Sequence, residues 1–558
     1  MRGELRTPGG VREDRDVRNQ GGPVRKAVFA GLALTLLTTA CAASQETAAV
    51  SQDYLVFYPP GQGGAATDAV EAVGGDVLSE DAQLGYLVAR AARLPSGPAI
   101  VGVMPDRPIG EVARVKPAAK PVARPAAGPR RAAVKDEPLA GRQWDMRMIG
   151  ATASGSYKKQ IGNHKVLVGV IDTGIDGRHP DIAPNFNRKL SRNFVTDRPK
   201  DPKGKNLDGP CEHKGCKDPA DVDDDGHGTH VASTIASPLN GIGIGGVAPG
   251  VSLVNLRAGT DSGYFFLKPT MDALKYAGDN GIDVVNMSFY VDPWNFNCPA
   301  NPADTPAQQS EQKAIIAGMT RAVAYARARG VTLVSAIGNG STDLGDPKQD
   351  TGSPDYPSGA AKSRKIDNTC LNVPAELPGV IAVTSVGPSK RKAVYSDYGA
   401  EQADVAAPGG DTLDTGTSLK GAAREILAAA PQKALRASTS IDAKGQPLTS
   451  SVIRECKNGT CSYYQYLEGT SMAAPHVAGV AALLVARFGK PGRGGLELDP
   501  ARLESLLYAS TYDRGCPASG NYRYSADATH VCVGSTAKNG FYGNGIVSAL
   551  KAVTIPGT

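Results

Sequence analysis

The sequence has almost no charge imbalance over most of its length. Of its 61 Lys and Arg and 55 Asp and Glu residues, positions 1–135 carry 17 and 13, which leaves 44 basic and 42 acidic residues for the rest. A segment with so small a net charge lacks the positive field that gathers nucleic acids or anionic membrane surfaces. We therefore expect no nucleic acid and no charged membrane surface as a partner.

Long apolar runs are also scarce. The run at residues 27–37 is shorter than the about 20 residues that a membrane-spanning helix needs, and we find no comparable run further along the chain. It follows Arg25 and Lys26 and leads through small residues to Cys41, which is the pattern of an export signal. We predict a signal segment at residues 1–41. Translation begins either at Met1 or, because residues 1–23 are polar, near Val24.

Cys41 leaves two alternatives open for the exported protein. The small residues before it resemble a bacterial lipoprotein processing site, which would put a lipid anchor on Cys41. The other alternative is an ordinary secretory signal that is cut nearby. In both cases we expect a secreted or cell-envelope-associated protein.

Cysteine is sparse, and its number fits an oxidising compartment. Nine cysteines are present, and eight remain once Cys41 is set aside, enough for four disulfide bonds. Sequence proximity pairs Cys211 with Cys216, Cys456 with Cys461, and Cys516 with Cys532, which leaves Cys298 for Cys370. A zinc site at Cys211, His213 and Cys216 is the alternative for the first pair, although these residues form an incomplete ligand set.

The chain divides by composition into a small module, a linker and a large domain. Residues 48–115 combine strand-like stretches with a helix-like one and predict a compact α+β module. Residues 116–136 are rich in Ala, Pro and basic residues, which is typical of an extended linker, and they include the cleavable pair Arg130-Arg131. Residues 137–558 are long enough to bury a substantial core.

In the large domain, apolar strand-like runs alternate with helical patterns. The runs lie at residues 166–171, 251–256, 282–287, 331–337 and 380–386, and residues 312–328 are one of the helical stretches between them. Continuous apolar strands separated by helices predict an α/β fold, a mostly parallel sheet with helices on both faces. The active site of such a sheet lies outside the carboxyl ends of its strands.

Four short motifs stand where this architecture predicts chemistry. Asp172 ends the first run in Val-Ile-Asp-Thr-Gly, and His227 lies between glycines in Asp-Gly-His-Gly-Thr-His, just before a small-residue helix. Ser471 begins an apolar helix in Gly-Thr-Ser-Met-Ala-Ala-Pro-His-Val-Ala-Gly. Asn339 follows another strand in Ile-Gly-Asn-Gly.

These residues predict nucleophilic catalysis. A serine hydroxyl needs an adjacent base, and the base needs an orienting carboxylate. We assign these roles to Ser471, His227 and Asp172. The N–H groups at the start of the Ser471 helix and the side-chain amide of Asn339 would stabilise the oxyanion that forms during attack.

The four motifs, in this order, resemble the subtilisin-like (S8) serine peptidases, and the resemblance extends over about residues 143–553. It implies a subtilisin-like fold, the same roles for the four residues, a Ser288 that borders the substrate cleft, and no cofactor for the chemistry. It also implies that residues 48–115 are an inhibitory propeptide that assists folding. We predict its removal by self-cleavage between residues 115 and 137.

Two departures from that family bear on specificity. After Ser288 the chain continues Phe-Tyr-Val-Asp-Pro where many subtilases have Leu and glycines, which predicts a narrower cleft. An insertion at about residues 411–465 precedes the Ser471 motif and would cap the cleft or bind another partner. A broad digestive specificity is therefore not a safe assumption.

An acidic cluster offers a candidate metal site. Hard cations such as calcium favour several carboxylates, here Asp221, Asp223, Asp224 and Asp225. We leave the metal ligands unassigned, because a solvated loop explains the same residues and the usual ligands of the family do not map onto this sequence one by one. We expect His230 and His476, which lie in helices, to serve packing and hydrogen bonding, and the family resemblance implies that His179 is a loop feature.

Together these features predict an exported serine endopeptidase that hydrolyses peptide bonds through an acyl-enzyme on Ser471 and is made as an autoprocessed zymogen. The expected partners are protein or peptide substrates and its own propeptide, and we expect a monomer. A catalytically idle envelope protein is the alternative, and the four intact motifs argue against it. An α/β-hydrolase esterase does not fit, because the serine motif lacks the second glycine of the nucleophile elbow.

Overall fold

The structure, a computed structural model, describes residues 51–107 and 135–556 apart from Asn458 and Asp527. The predicted signal segment with Cys41 lies outside the described residues, as does nearly all of the predicted linker with Arg130-Arg131. Residues 48–50 and 108–115 of the predicted propeptide also lie outside them.

Residues 51–107 form an antiparallel sheet of four strands with one helix. The elements are β1 (Gln52–Phe57), α1 (Gly63–Glu71), β2 (Asp76–Asp81), β3 (Tyr86–Ala91) and β4 (Gly102–Pro105). The strand order is β2-β3-β1-β4, and α1 packs Ala66 and Val70 against the sheet. Sequence patterns indicate all of these elements except β2, which is a largely exposed edge strand with an irregularity between Val77 and Ser79.

The remaining elements belong to the large domain. They are α2 (Trp144–Ile149), α3 (Ser156–Lys159), β5 (Leu167–Ile171), β6 (Arg192–Asn193), α4 (His227–Ala236), β7 (Ser252–Arg257), α5 (Leu267–Asp279), β8 (Val284–Met287), α6 (Pro306–Arg327), β9 (Thr332–Ala336), β10 (Gln349–Asp350), β11 (Arg364–Lys365), β12 (Val380–Val386), β13 (Val405–Pro408), β14 (Ile426–Ala429), α7 (Gln432–Ala437), β15 (Val452–Lys457), β16 (Thr460–Leu467), α8 (Thr470–Phe488), β17 (Lys490–Pro491), β18 (Leu496–Glu497), α9 (Pro500–Ala509), β19 (Asn521–Arg523), β20 (Thr529–Val531) and α10 (Ala549–Ala552).

A seven-stranded sheet in the order β13-β12-β9-β8-β5-β7-β6 is the centre of this domain. Every neighbouring pair is parallel. Side chains alternate between its faces, so that Val168 and Val170 pack with α4 and α8 while Leu167 and Ile171 pack with α5 and α6. The predicted α/β fold with helices on both faces is confirmed.

One expectation about apolar runs is wrong. Within the described residues, α8 is long and apolar enough to cross a membrane by length and composition, with 19 residues from Thr470 to Phe488. Most of it is buried inside the protein, where it packs against α4, α9 and the sheet. We missed this run because Pro475 and His476 interrupt its apolar residues. Its place in the fold is that of a central core helix.

The N-terminal sheet packs on the outer side of α5 and α6. Arg321 of α6 donates hydrogen bonds to the carbonyl oxygens of Tyr58, Leu84 and Gly85. Gly102 of β4 lies so close to α6 that a Cβ atom there would be 2.5 Å from the backbone nitrogen of Ala314. This backbone contact explains why glycine occupies that position.

The predicted insertion folds into a small sheet of its own. Strands β14, β16 and β15 are antiparallel neighbours in that order, and β14 contacts helix α4. All four predicted disulfide bonds are present, namely Cys211–Cys216, Cys298–Cys370, Cys456–Cys461 and Cys516–Cys532. The first of them uses both thiols that the zinc alternative required.

Candidate active site

Asp172 and His227 are in direct contact. Asp172 follows the carboxyl end of β5 and is fully buried, and His227 is the first residue of α4. The Nδ1 atom of His227 lies 2.8 Å from Oδ1 of Asp172, which also accepts a hydrogen bond from the backbone of Thr173. The carboxylate therefore fixes the imidazole with Nδ1 as the donor, so that Nε2 is available as an acceptor.

One close backbone approach and one left-handed glycine hold the segment around His227 in place. A Cβ atom at Gly228 would lie 2.1 Å from the carbonyl oxygen of Gly174, so only glycine fits next to His227. Gly226 precedes the helix with φ 106°, a left-handed conformation that favours glycine. The glycines around His227 are thus required by the junction between β5 and α4.

Asp223 ties the start of α4 to the loop after β5. Its Oδ1 accepts hydrogen bonds from Thr173 Oγ1 and from the backbone of Gly226, and its Oδ2 accepts from both the backbone and the hydroxyl of Thr229. A carboxylate at a helix N-terminus satisfies unpaired N–H groups there. In the sequence Asp223 is one member of the acidic cluster. Its place shortly before a helix is the feature that predicts a capping role.

Ser471 lies in the first turn of α8 and faces Ser288, which follows β8. Its Oγ donates to the carbonyl oxygen of Ser288 at 3.2 Å, and Ser288 Oγ donates to the carbonyl oxygen of Ser471 at 3.1 Å. Asn286 Nδ2 in turn donates to Ser288 Oγ. The Ser471 hydroxyl must therefore rotate away from Ser288 before it can donate to an imidazole.

Asn339 follows β9 and reaches the start of the same helix. Its Oδ1 accepts hydrogen bonds from the backbone nitrogen and from the hydroxyl of Thr470, both at 2.9 Å. Because Oδ1 is engaged as an acceptor, the two N–H groups of Nδ2 are the ones that remain as donors. Asn339 and the N–H of Ser471 are thus neighbours at one helix terminus.

A cavity of about 640 Å³ lies beside these residues. His227, Ser288, Asn339 and Ser471 line it together, while Asp172 lies buried behind His227. Tyr290 and Asp355 also line it, and the Tyr290 hydroxyl donates to Asp355 Oδ2 at 2.5 Å. Among the described residues of the insertion at 411–465, none lines this cavity.

The surroundings of His227 favour its charged form. Burial alone would lower the pKa of His227. The charge and hydrogen bond of Asp172, with smaller contributions from Asp225 and Asp223, outweigh burial and raise the pKa to about 9. The imidazole is therefore a strong base that is stabilised once it has taken up a proton.

His179, His230 and His476 have structural contacts. His230 Nε2 contacts the carbonyl oxygens of Ile426 and Gln465, and burial lowers its pKa to about 3. His476 lies between the carbonyl oxygen of Met472 and the carboxylate of Asp145. His179 contacts Tyr463, and burial lowers its pKa to about 4. The predicted packing and hydrogen-bonding roles of His230 and His476 are confirmed.

The acidic cluster does not converge on one point. Asp221 pairs with Arg178 and Arg188, and Asp224 pairs with Lys433. A tighter group of carboxylates, consisting of Asp197, Asp218 and Asp261, surrounds the guanidinium of the buried Arg257. Asp197, Asp218 and Asp261 lie close enough together to hold a metal ion, and Arg257 supplies a positive charge at the same place. A structural calcium ion therefore stays a prediction.

A carboxylate, an imidazole and a hydroxyl at the carboxyl ends of parallel strands form the arrangement of a serine hydrolase. Residues 163–545 match the Subtilase family, peptidase S8, and the chain therefore belongs to this family of serine endopeptidases. Subtilisin DY of Bacillus licheniformis is 29% identical to it over 323 residues, which are 58% of this chain and 77% of that protein. M-protease of Shouchella clausii is 28% identical over 341 residues, 61% of this chain and 59% of its own length.

Solved structures have the same fold. The epidermin leader peptide processing serine protease from Staphylococcus aureus has a TM-score of 0.57 at 20% identity, and the match covers 91% of this chain and 98% of that one. Fervidolysin from Fervidobacterium pennivorans, described as a keratinolytic enzyme related to subtilisin, has a TM-score of 0.52 at 22% identity over 92% of this chain and 62% of that one. Subtilases need no cofactor for catalysis.

Proposed function

We propose that this subtilase is an exported endopeptidase that cleaves proteins through an acyl-enzyme on Ser471 and is made as a self-processing zymogen. The observation that carries the proposal is the 2.8 Å contact between Asp172 and His227 beside a cavity that Ser471 and Asn339 also line. These residues supply every group that peptide hydrolysis requires.

The first half of the reaction forms the acyl-enzyme. The Ser471 hydroxyl turns from Ser288 to His227, gives its proton to Nε2 and attacks the carbonyl carbon of the scissile bond. The Ser471 N–H and the side-chain amide of Asn339 hold the resulting oxyanion. His227 then delivers the proton to the leaving amine, and the carboxylate of Asp172 stabilises the imidazolium between these two transfers.

The second half releases the product. His227 takes a proton from a water molecule, the resulting nucleophile attacks the acyl carbon, and Ser471 regains its proton as the new carboxylate leaves. Binding of the oxyanion by the same two donors lowers the barrier again. Asp172, His227, Ser471 and Asn339 are therefore the proposed catalytic residues, and Ser288 is the proposed cleft residue.

Casein hydrolysis by the purified, processed enzyme tests the proposed activity. A serine-directed covalent inhibitor should stop hydrolysis, and peptide mass spectrometry should locate the label on Ser471. Ser471→Ala should lower kcat by about 10⁶, the loss expected for removal of an activated serine. A Ser471→Ala protein that retains activity would contradict the mechanism.

Zymogen processing is a separate part of the proposal. The packing of residues 51–107 on α5 and α6 supports a folded N-terminal segment that stays bound to the catalytic domain before cleavage. Intact-mass analysis of the wild type and of Ser471→Ala should show a shortened chain in the first and an unprocessed chain in the second. Equal processing of both would rule out self-cleavage.

Export and anchoring need their own measurement, because Cys41 lies outside the described residues. N-terminal sequencing of the precursor and detergent phase partition of the native protein distinguish a lipid-anchored form from a freely secreted one. Partition into the detergent phase that Cys41→Ala abolishes would identify the lipid anchor. Partition into the aqueous phase by both proteins would identify ordinary secretion.

A further inference from the structure

Arg107 is the last residue of the N-terminal segment that the structure describes before residue 135, and its side chain is enclosed. It follows strand β4, whose pairing with β1 continues to Asp106. Only 13% of the Arg107 side chain is exposed, and its Nη2 lies 2.6 Å from Oε1 of Glu311 on helix α6. An arginine of the N-terminal segment is therefore held by a carboxylate of the catalytic domain.

The surface that holds Arg107 has the shape and chemistry of an arginine site. The centre of the guanidinium is 5.6 Å from the ring centroid of Phe266 and 5.4 Å from that of Tyr356. The second carboxylate oxygen of Glu311 accepts a hydrogen bond from the fully buried indole of Trp294 at 3.0 Å. This support comes from the catalytic domain, so it stays in place when the N-terminal segment departs. We call the surface of Phe266, Glu311 and Tyr356 the arginine recess.

A guanidinium suits this recess better than an ammonium group. Its planar faces stack on aromatic rings while its edge makes directed hydrogen bonds to a carboxylate. Arg107 uses Nη2 for Glu311, and its buried Nη1 has no hydrogen-bond partner among the described residues. The recess therefore binds arginine by stacking and one charge-assisted contact, with a donor left over.

The arginine recess adjoins the catalytic cavity. Tyr264 lines the cavity, and its ring is stacked on Phe266 at 5.9 Å and meets Tyr356 edge-on at 5.5 Å. Asp292 also lines the cavity, and it lies close enough to Arg107 for the charge of Arg107 to affect the pKa of Asp292. Burial first, and then the neighbouring carboxylate of Asp355, raise the pKa of Asp292, and the charge of Arg107 opposes them.

Apart from His227, the lining of the cavity holds no competing cationic side chain among the described residues. Within the described part of the chain, its lining includes the carboxylates of Asp225, Asp292 and Asp355 but no Lys or Arg. A substrate that carries positive charge therefore meets acidic groups both in the cavity and in the adjoining recess.

We propose that the arginine recess is a substrate subsite, which Arg107 occupies in the unprocessed chain and an arginine side chain of a protein substrate occupies after the N-terminal segment has left. This inference rests on the proposed function, because it requires that the catalytic cavity cleaves peptides and that the segment carrying Arg107 is released. It gives the enzyme a preference for substrates with an arginine at one fixed position relative to the scissile bond.

The test uses the fully processed wild-type enzyme and a peptide library derived from a digested proteome. Cleaved peptides should be enriched in arginine at one fixed position. The best of them is then made with arginine and with citrulline, which has the same shape but no charge. We expect kcat/KM to fall about tenfold or more with citrulline, since a charge-assisted hydrogen bond is lost.

Glu311→Gln tests the recess directly. The glutamine keeps an acceptor for the Trp294 indole but removes the negative charge, so it should slow cleavage of the arginine peptide and leave cleavage of the citrulline peptide nearly unchanged. Asp279→Asn is the matched control, because Asp279 is an exposed carboxylate that pairs with Arg329 instead. If Glu311→Gln does not fold, Phe266→Leu removes one stacking face instead. It should lower the ratio of kcat/KM for the arginine peptide to kcat/KM for the citrulline peptide.

The outcomes separate this inference from the proposed function. Casein cleavage without arginine enrichment, or equal loss of both peptides in Glu311→Gln, would overturn the subsite and leave the proposed function intact. It would mean that the recess serves only to hold the N-terminal segment. Wild-type enzyme that neither cleaves casein nor takes the serine label would overturn the proposed function and the subsite with it.

Discussion

Ser471 and Ser288 are joined by two reciprocal hydrogen bonds, in which each hydroxyl donates to the backbone carbonyl oxygen of the other residue. The hydroxyl of the proposed nucleophile is therefore hydrogen-bonded to the residue that follows β8 and not to the imidazole. In the proposed mechanism this hydroxyl must leave Ser288 and turn toward His227, which lines the same cavity. The hydrogen bond from Ser288 Oγ meanwhile holds the backbone at the start of α8, where the proposed oxyanion donors lie.

Ser288→Ala should cause a modest loss of activity. The substitution removes the hydroxyl that holds the carbonyl of Ser471 but keeps the backbone acceptor. One hydrogen bond of this kind contributes about 0.5–1.5 kcal/mol, so we expect kcat to fall by about two- to tenfold with little change in KM. Ser252→Ala, which removes a hydroxyl bound to His164 on the surface, is the matched control. A loss of several orders of magnitude would instead give Ser288 a direct part in catalysis.

Asn339→Ala should be a selective catalytic lesion. The side-chain amide is the second proposed donor to the oxyanion, and loss of one such donor costs about 10²–10³ in kcat. Its Oδ1 also holds the backbone and hydroxyl of Thr470, so thermal unfolding must be measured beside the kinetics. Asn339→Asp keeps the acceptor for Thr470 but replaces the donor by a negative charge. Activity near the wild-type level in this variant would contradict the oxyanion role.

The pH profile should report His227. The imidazole must be neutral to accept the serine proton, and its pKa is raised to about 9, so kcat/KM should rise with pH and level off above about 9. Asp225 contributes to this raised pKa. Asp225→Asn should therefore move the rising limb to lower pH, while its amide oxygen still accepts from the backbone of His227.

Asp221→Asn is the control for that experiment. Asp221 is in the same acidic loop, but its carboxylate contacts Arg178 and Arg188, and it is not among the groups that shift His227. We expect its pH profile to match that of the wild type. If the rising limb of the kcat/KM profile does not shift in Asp225→Asn, the measured pKa belongs to a group other than His227.

Sequence patterns predict the parallel sheet well, and they single out the four residues that we propose as catalytic. Buried strands read as continuous apolar runs, and the backbone approaches beside His227 demand glycines that are visible in the sequence. Exposed β2 gives no such signal, because an edge strand has no apolar face to bury. The sequence indicates an apolar helix at Ser471 but not the length of its apolar run, because Pro475 and His476 interrupt it.

Features that depend on distant parts of the chain are not visible in the sequence. Arg107 and Glu311 are 204 positions apart, and neither stands in a recognisable motif. Asp223 looks like one carboxylate among four until the fold brings Thr173 to it. Such contacts depend on how α6 packs against the N-terminal sheet and on how α4 meets the loop after β5. Local sequence patterns do not encode this packing.

Asp223→Ala should lower both stability and activity. The carboxylate caps α4 and joins it to Thr173, so its loss leaves buried donors unsatisfied and loosens the position of His227. Loss of a helix cap lowers the free energy of unfolding by about 1–2 kcal/mol. Because the contact to Thr173 is lost as well, we expect a decrease of about 2 kcal/mol or more. Urea unfolding measures the first effect and casein hydrolysis the second. Asp221→Ala, whose surface ion pairs contribute about 0–1 kcal/mol, should be much milder.

Tyr290→Ala should widen the range of substrates. Tyr290 stands in the cleft-lining segment after Ser288, and its ring and hydroxyl close one wall of the catalytic cavity against Asp355. Removing the ring enlarges the cavity, so kcat/KM for peptides with a large aromatic residue at the scissile bond should rise about tenfold relative to peptides with alanine there. Tyr290→Phe keeps the ring and should leave this ratio unchanged. If both variants keep the wild-type ratio, the side chain before the scissile bond does not reach Tyr290, and the narrow cleft predicted from the segment after Ser288 is wrong.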